Sequence, residues 1–172
     1  MPIPTRVETR RLVAPAAIAA ASVLVVVACA SDWDSQTFFP DTFADTYTRV
    51  ATCRPSTHPK AAYVETWLSP NGAERWAEWK AAIAAGATTV EPFAEGTVLV
   101  KAQYFDSDCD DLDNYTAMKK LAVGALPESD DWHWQVVGAE GATTECCENK
   151  NCWNCHASLC PDSLYPFVCT QP

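Results

Sequence analysis

Gly96-Thr97-Val98-Leu99-Val100-Lys101-Ala102-Gln103-Tyr104-Phe105 is the stretch that decides the fold class. Side chains alternate across a strand, so Val98, Val100, Ala102 and Tyr104 share one face, and Leu99, Lys101, Gln103 and Phe105 share the other. Working outward, Ala61–Leu68 is rich in aromatic and β-branched residues and reads as a second strand. Asn114–Ala122 and Trp132–Gly138 read as two more, the first with a pattern that also fits a helix. The turn residues Pro127 to Asp131 lie between them. Asp41 is placed to cap a helix running to about Ala51, with Phe43, Tyr47 and Val50 on one side. Pro70-Asn71-Gly72 breaks the pattern, and residues 73–85 carry Trp76, Trp79 and Ile83 at helical spacing, with Gly86 as the stop. Beyond Gly141 the chain is cysteine-rich and shows no regular pattern. The fold class expected is α+β: a mainly antiparallel sheet with a few helices and a disulfide-stapled C-terminal segment.

The 172 residues suit one domain of ordinary size, and 7 Trp, 6 Phe and 5 Tyr supply a sizeable core. A formal net charge of −10 argues against a nucleic-acid partner, which needs clustered Lys and Arg. Arg6, Arg10 and Arg11 precede an uncharged apolar run from Leu12 to Ala28 that ends at Cys29. This is the order of an export signal. Val26-Val27-Ala28-Cys29 resembles a bacterial lipoprotein box, in which the cysteine is lipidated and becomes the new N-terminus. An uncleaved membrane anchor is the alternative, although the run is short for a span and contains Pro15. The expected organisation is a signal over 1–28, a tether over 29–39 and a folded domain over 40–172. The folded part is exported, held at the periplasmic face of a membrane through a lipid anchor. Ala30 in place of Asp favours the outer membrane. The acidic run Asp106, Asp108, Asp110, Asp111 and Asp113 has neither the turn glycine nor the closing Glu of a calcium loop, and reads as a solvated hairpin tip.

Cys152-Trp153-Asn154-Cys155-His156 has the C-x-x-C-H spacing of c-type haem attachment. Two thiols at this spacing reach the two vinyl groups of the porphyrin, and the following imidazole lies beneath the iron as its axial ligand. A zinc site including Cys146, Cys147 or Cys160 is disfavoured by export and by the lack of a second spaced pair of ligands. Nine cysteines, less Cys29 for lipid and Cys152 and Cys155 for haem, leave Cys53, Cys109, Cys146, Cys147, Cys160 and Cys169. That even number suits three disulfides. Cys146 and Cys147 are adjacent and poorly placed to bond each other. The pairing expected joins Cys53 to Cys109, and ties Cys146 and Cys147 to Cys160 and Cys169. Candidates for a sixth iron ligand are Met118, His58 and His133; each also has an ordinary structural reading, and an open position is favoured.

The order Gly96-Thr97-Val98-Leu99-Val100-Lys101, Tyr115-Thr116-Ala117-Met118-Lys119-Lys120, Asp131-Trp132, Gly141 and Cys152-Trp153-Asn154-Cys155-His156-Ala157 resembles the cytochrome P-460 family, over about residues 40–170. The resemblance implies a mostly antiparallel β fold, often dimeric, holding one covalent haem c with an open iron site. It implies hydroxylamine oxidation or nitric oxide binding, with a small nitrogen compound as ligand and a soluble redox partner. In the hydroxylamine-oxidising members a lysine is bonded to the porphyrin edge, and Lys101 occupies that place in the motif. The carboxylate those members carry just after the strand of Met118 is met here by Lys119-Lys120. Two other functions stay open: an electron-transfer cytochrome lipoprotein, and a haem-free, disulfide-rich surface lipoprotein.

Overall fold

The computed structural model describes residues 36–56, 61–147, 150–160 and 168–169. The expected export signal, Cys29, most of the expected tether and His58 lie outside them. The chain divides into Met1–Ala30 and Ser31–Pro172, and every described residue belongs to the second unit.

Among the described residues the architecture is α+β and mainly sheet: six strands in chain order, every neighbouring pair antiparallel, with three α-helices and a 3-10 turn at Pro127–Ser129. The strands are β1 (Thr48–Pro55), β2 (Tyr63–Leu68), β3 (Val98–Tyr104), β4 (Leu112–Lys120), β5 (Trp132–Gly138) and β6 (Thr143–Cys147). The helices are α1 (Phe43–Thr46), α2 (Pro70–Ala84) and α3 (Lys150–Leu159). The expected strands at 61–68, 96–105, 114–122 and 132–138 are all present, and Asn114–Ala122 is a strand.

Three expectations are corrected. The helix expected from Asp41 to Ala51 is one turn, followed by β1. Thr48, Val50 and Thr52 are β-branched, and pairing with β2 outweighs the weak helical spacing of Phe43, Tyr47 and Val50. Pro70-Asn71-Gly72 opens α2 rather than breaking the chain before it. Pro70 sits in the first turn, where a missing N–H costs nothing. Ser69 ties this helix start to β3, its hydroxyl accepting the Val98 N–H at 2.9 Å. Finally, the region after Gly141 is regular: β6 extends the sheet and α3 carries the C-x-x-C-H.

The two faces of the sheet bury different cores. On one, Trp67, Val98, Val100, Ala102, Ala117 and Val137 pack beneath Phe39 and Phe43. Phe38 and Phe39 belong to the stretch expected as tether, yet they pack on this face. Buried Gln135 fastens them there, accepting the Phe38 N–H at 2.8 Å and donating to the Gln36 carbonyl at 2.7 Å. On the other face, Leu68, Leu99, Met118 and Trp134 are direct cross-strand neighbours, covered by Trp76, Trp79, Phe93 and Val168.

Cys53 and Cys109 are bonded as expected, joining β1 to the tip of the β3–β4 hairpin. In that tip the Asp106 carboxylate accepts the N–H groups of Asp110 and Asp111. The second expected scheme is corrected: Cys160 is bonded to Cys169, not to Cys146 or Cys147. The cause is local. Thr143–Cys147 is committed to pairing with β5, whereas Cys160 ends the helix and meets the chain as it returns.

Candidate haem-attachment site

Along the strands, the face that carries Leu99 changes from apolar to polar. The row Leu68, Leu99, Met118 and Trp134 is followed, two residues on, by Thr66, Lys101, Thr116 and Val136, also direct cross-strand neighbours. The next row holds Val64, Gln103 and Asn114. Gln103 is 2% exposed and donates to the Thr116 hydroxyl at 3.2 Å. Thr66 Oγ1 and Asn114 Oδ1 are buried with no hydrogen-bond partner among the described residues. A buried polar oxygen left without a partner costs about 1–3 kcal/mol, so this polar floor suits a group that is not protein.

Helix α3 is packed on the same side. Residues three and four apart lie on one helix face, so Cys152, Cys155 and His156 are presented together. Cys152 and Trp153 pack against the Leu99–Met118–Trp134 core. His156 meets Trp134 edge to face, the ring centroids 6.0 Å apart. Cys152 and Cys155 are present as thiols, the state that thioether formation requires.

Lys101 lies in the polar row. Burial pushes its amine below the ordinary lysine value, the Arg54 guanidinium lowers it further, and Cys155 acts in the opposite direction. Fifty-four residues separate Lys101 and Cys155 in the chain, and the fold brings them to one face. The donor set fits a covalently attached haem: two thiols, an imidazole, a buried amine and polar groups in need of partners.

Of the sixth-ligand candidates, Met118 is on this face but is buried in the core with Leu99 and Trp132. His133 alternates with Trp134 and stacks on Phe38, so it belongs to the opposite face. Lys120 is buried, donates to the carbonyl and carboxylate of Asp130, and lies over the Trp132 ring. Lys119 lies over Phe38, on the face of His133.

Sequence reasoning singled out Lys101 but missed Thr66, Gln103, Thr116 and Trp134. The alternation along β3 held the signal, since Lys101 and Gln103 share the face of Leu99. A surface groove lined by Arg49, Val50, Glu74, Trp76 and Lys80 runs between β1 and α2 and contains none of the candidate haem-site residues. Comparison with protein-family models and with curated proteins finds no match.

Proposed function

We propose that the chain is an exported c-type haem protein resembling the cytochrome P-460 family, binding or oxidising small nitrogen compounds such as hydroxylamine or nitric oxide. The observation that carries this reading is the meeting of two distant motifs: α3, which bears the C-x-x-C-H, packs through Cys152 on the row of Leu99, Met118 and Trp134, and half-buried Lys101 lies one row further along the same face of β3.

In this reading Cys152 and Cys155 would hold one haem c by two thioethers, and His156 would supply a nitrogen ligand to its iron. The haem would supply an iron that exchanges electrons and coordinates the small nitrogen compound. The remaining work belongs to the chain. Trp134, Met118 and Leu99 form a dry wall beside His156, which keeps the site at low dielectric. Thr66 and Asn114 offer oxygens for hydrogen bonds. Lys101, its amine held below the ordinary lysine value by burial, would be the amine that bonds the porphyrin edge. Cys29 would carry the lipid that holds the protein at the outer membrane, with a soluble redox partner and a homodimer in keeping with the resemblance.

The test is the absorption spectrum of protein made in a haem-ligating host. A high-spin spectrum with covalent haem is expected, and His156→Ala should abolish normal ligation while the thioethers still hold the ring. Absence of a Soret band would overturn the haem reading. A low-spin spectrum would move the function to electron transfer.

A further inference from the structure

The C-terminal end of α3 is built more tightly than haem attachment alone requires. Cys160 lies one turn after His156, its N–H donating to the His156 carbonyl at 3.1 Å. It is buried and bonded to Cys169, nine residues on. Val168, beside Cys169, is 1% exposed in the core that holds Trp134 and Cys152. The returning chain is therefore fixed both by a covalent bond and by a buried side chain.

Cys169 Sγ stands 3.9 Å from His156 Nδ1. The ligand atoms of His156, Cys160 and Cys169 lie within 4.8 Å of one another. Two bonded sulfurs offer no thiolate, and the thiolate is the metal-binding form, so the intact cluster is not a metal centre. It is a contact on one particular edge of the imidazole. Trp134 meets the same ring from another direction. With Nδ1 against the sulfur, Nε2 occupies the ring edge turned away from it.

We infer that the Cys160–Cys169 disulfide positions the His156 imidazole, with Cys169 Sγ against Nδ1 and Trp134 against the ring together fixing the orientation of Nε2. The inference rests on the haem reading above. The partner of the non-ligating nitrogen sets both the orientation and the basicity of a metal-bound imidazole. Here a sulfur, a weak acceptor, faces that nitrogen. A disulfide that only closed the chain end would add stability and leave the iron–imidazole bond alone.

The experiment compares haem-loaded wild type with Cys160→Ser/Cys169→Ser, reading covalent haem per chain and the ferrous iron–histidine stretching band by resonance Raman. Equal haem content with a shifted or split band is the expected result. Should the double variant fail to fold, folded wild type is treated with a phosphine reductant, thiol counting confirms that the link has opened, and the same band is read. Cys53→Ser/Cys109→Ser is the control, and its band should match wild type. Full haem content with an unchanged band after the Cys160–Cys169 link is lost would overturn the positioning role alone. Absence of covalent haem from wild type would overturn the haem reading, and this inference with it.

Discussion

Lys101 and Asp131 show how one residue's surroundings become a measurable property. Asp131 has φ +57 and directs its carboxylate back at the chain, accepting the N–H groups of Gly124 at 2.9 Å and Leu126 at 2.8 Å. These bonds hold the carboxyl below its ordinary value of 3.8, and Lys120 acts in the same direction. A depressed carboxyl contributes stability that is complete above the unfolded value and is lost as pH falls through the folded one. Asp131→Asn should therefore be less stable at neutral pH and lose less stability on acidification. Urea midpoints recorded from neutral to strongly acid pH check this, and parallel curves for the two proteins would refute it. Lys101 makes a sharper chemical prediction. If its amine is bonded to the porphyrin, the holoprotein weighs less than apoprotein plus haem by the hydrogens lost, and its Soret band is red-shifted. Lys101→Arg should then keep its haem through Cys152 and Cys155, recover the full mass and show an ordinary high-spin spectrum. Identical mass balance and spectrum in both proteins would leave Lys101 as an uncoupled amine.

Among the elements, the entry of α2 is the most constrained by its neighbours. A Cβ on Gly72 would meet Thr97 Cγ2 at 2.8 Å and Leu68 Cδ2 at 3.0 Å, so the helix lies against β2 and the start of β3 at the limit of approach. Gly→Ala within a helix ordinarily gains about 1 kcal/mol. Here overpacking of about 1–3 kcal/mol opposes it, and Gly72→Ala should be a net loss of about 1 kcal/mol. Adding Thr97→Ser removes the clashing methyl and should recover much of that loss in a double-mutant cycle of denaturant midpoints; no recovery would place the strain elsewhere. The same element shows what sequence patterns carry. Trp76, Trp79 and Ile83 announce the body of α2, but Pro70-Asn71-Gly72 reads equally as a stop or a start until Ser69 is seen bonded to β3. β3 was legible because Val98, Val100, Ala102 and Tyr104 keep one face apolar over its seven residues. β6 and α3 were not. Thr143–Cys147 is short and at the sheet edge, and Lys150–Leu159 is built from Asn, Cys, Trp and His, whose helix propensities are middling to poor. Packing on Trp134 and the Cys160–Cys169 link, rather than propensity, hold that helix in place. The C-x-x-C-H was thus readable as a motif, while the face it meets depended on long-range pairing.

For the whole molecule, the sheet separates two tasks. One face is closed by Phe39, Phe43 and the Gln135 anchor; the other bears the polar floor and α3 with its C-x-x-C-H. Holding α3 on that face requires the sheet to stay in register, and the most irregular of the described strand pairings is at its β1 edge. There the pairing with β2 shifts register twice, between Arg49 and Ala51 and between Ala51 and Arg54. Cys53–Cys109 closes this edge, crossing a sequence separation of 56 and tying β1 to the β3–β4 hairpin. A closed loop of that length restricts the unfolded chain enough to stabilise the fold by about 4 kcal/mol on chain-entropy grounds. Cys53→Ser/Cys109→Ser should lose stability of that order, read as a lower denaturant midpoint by tryptophan fluorescence. The tryptophan cluster and α3 lie elsewhere in the fold, so the Soret maximum of any haem bound by the folded variant should not move. A loss under about 1 kcal/mol would mean that the β1 edge is held by its hydrogen bonds and the Arg49–Glu65 pair alone. A moved Soret band would mean that the β1 edge and the polar floor beneath Lys101 are mechanically one unit, with Arg54, the residue after Cys53, as the connection between them.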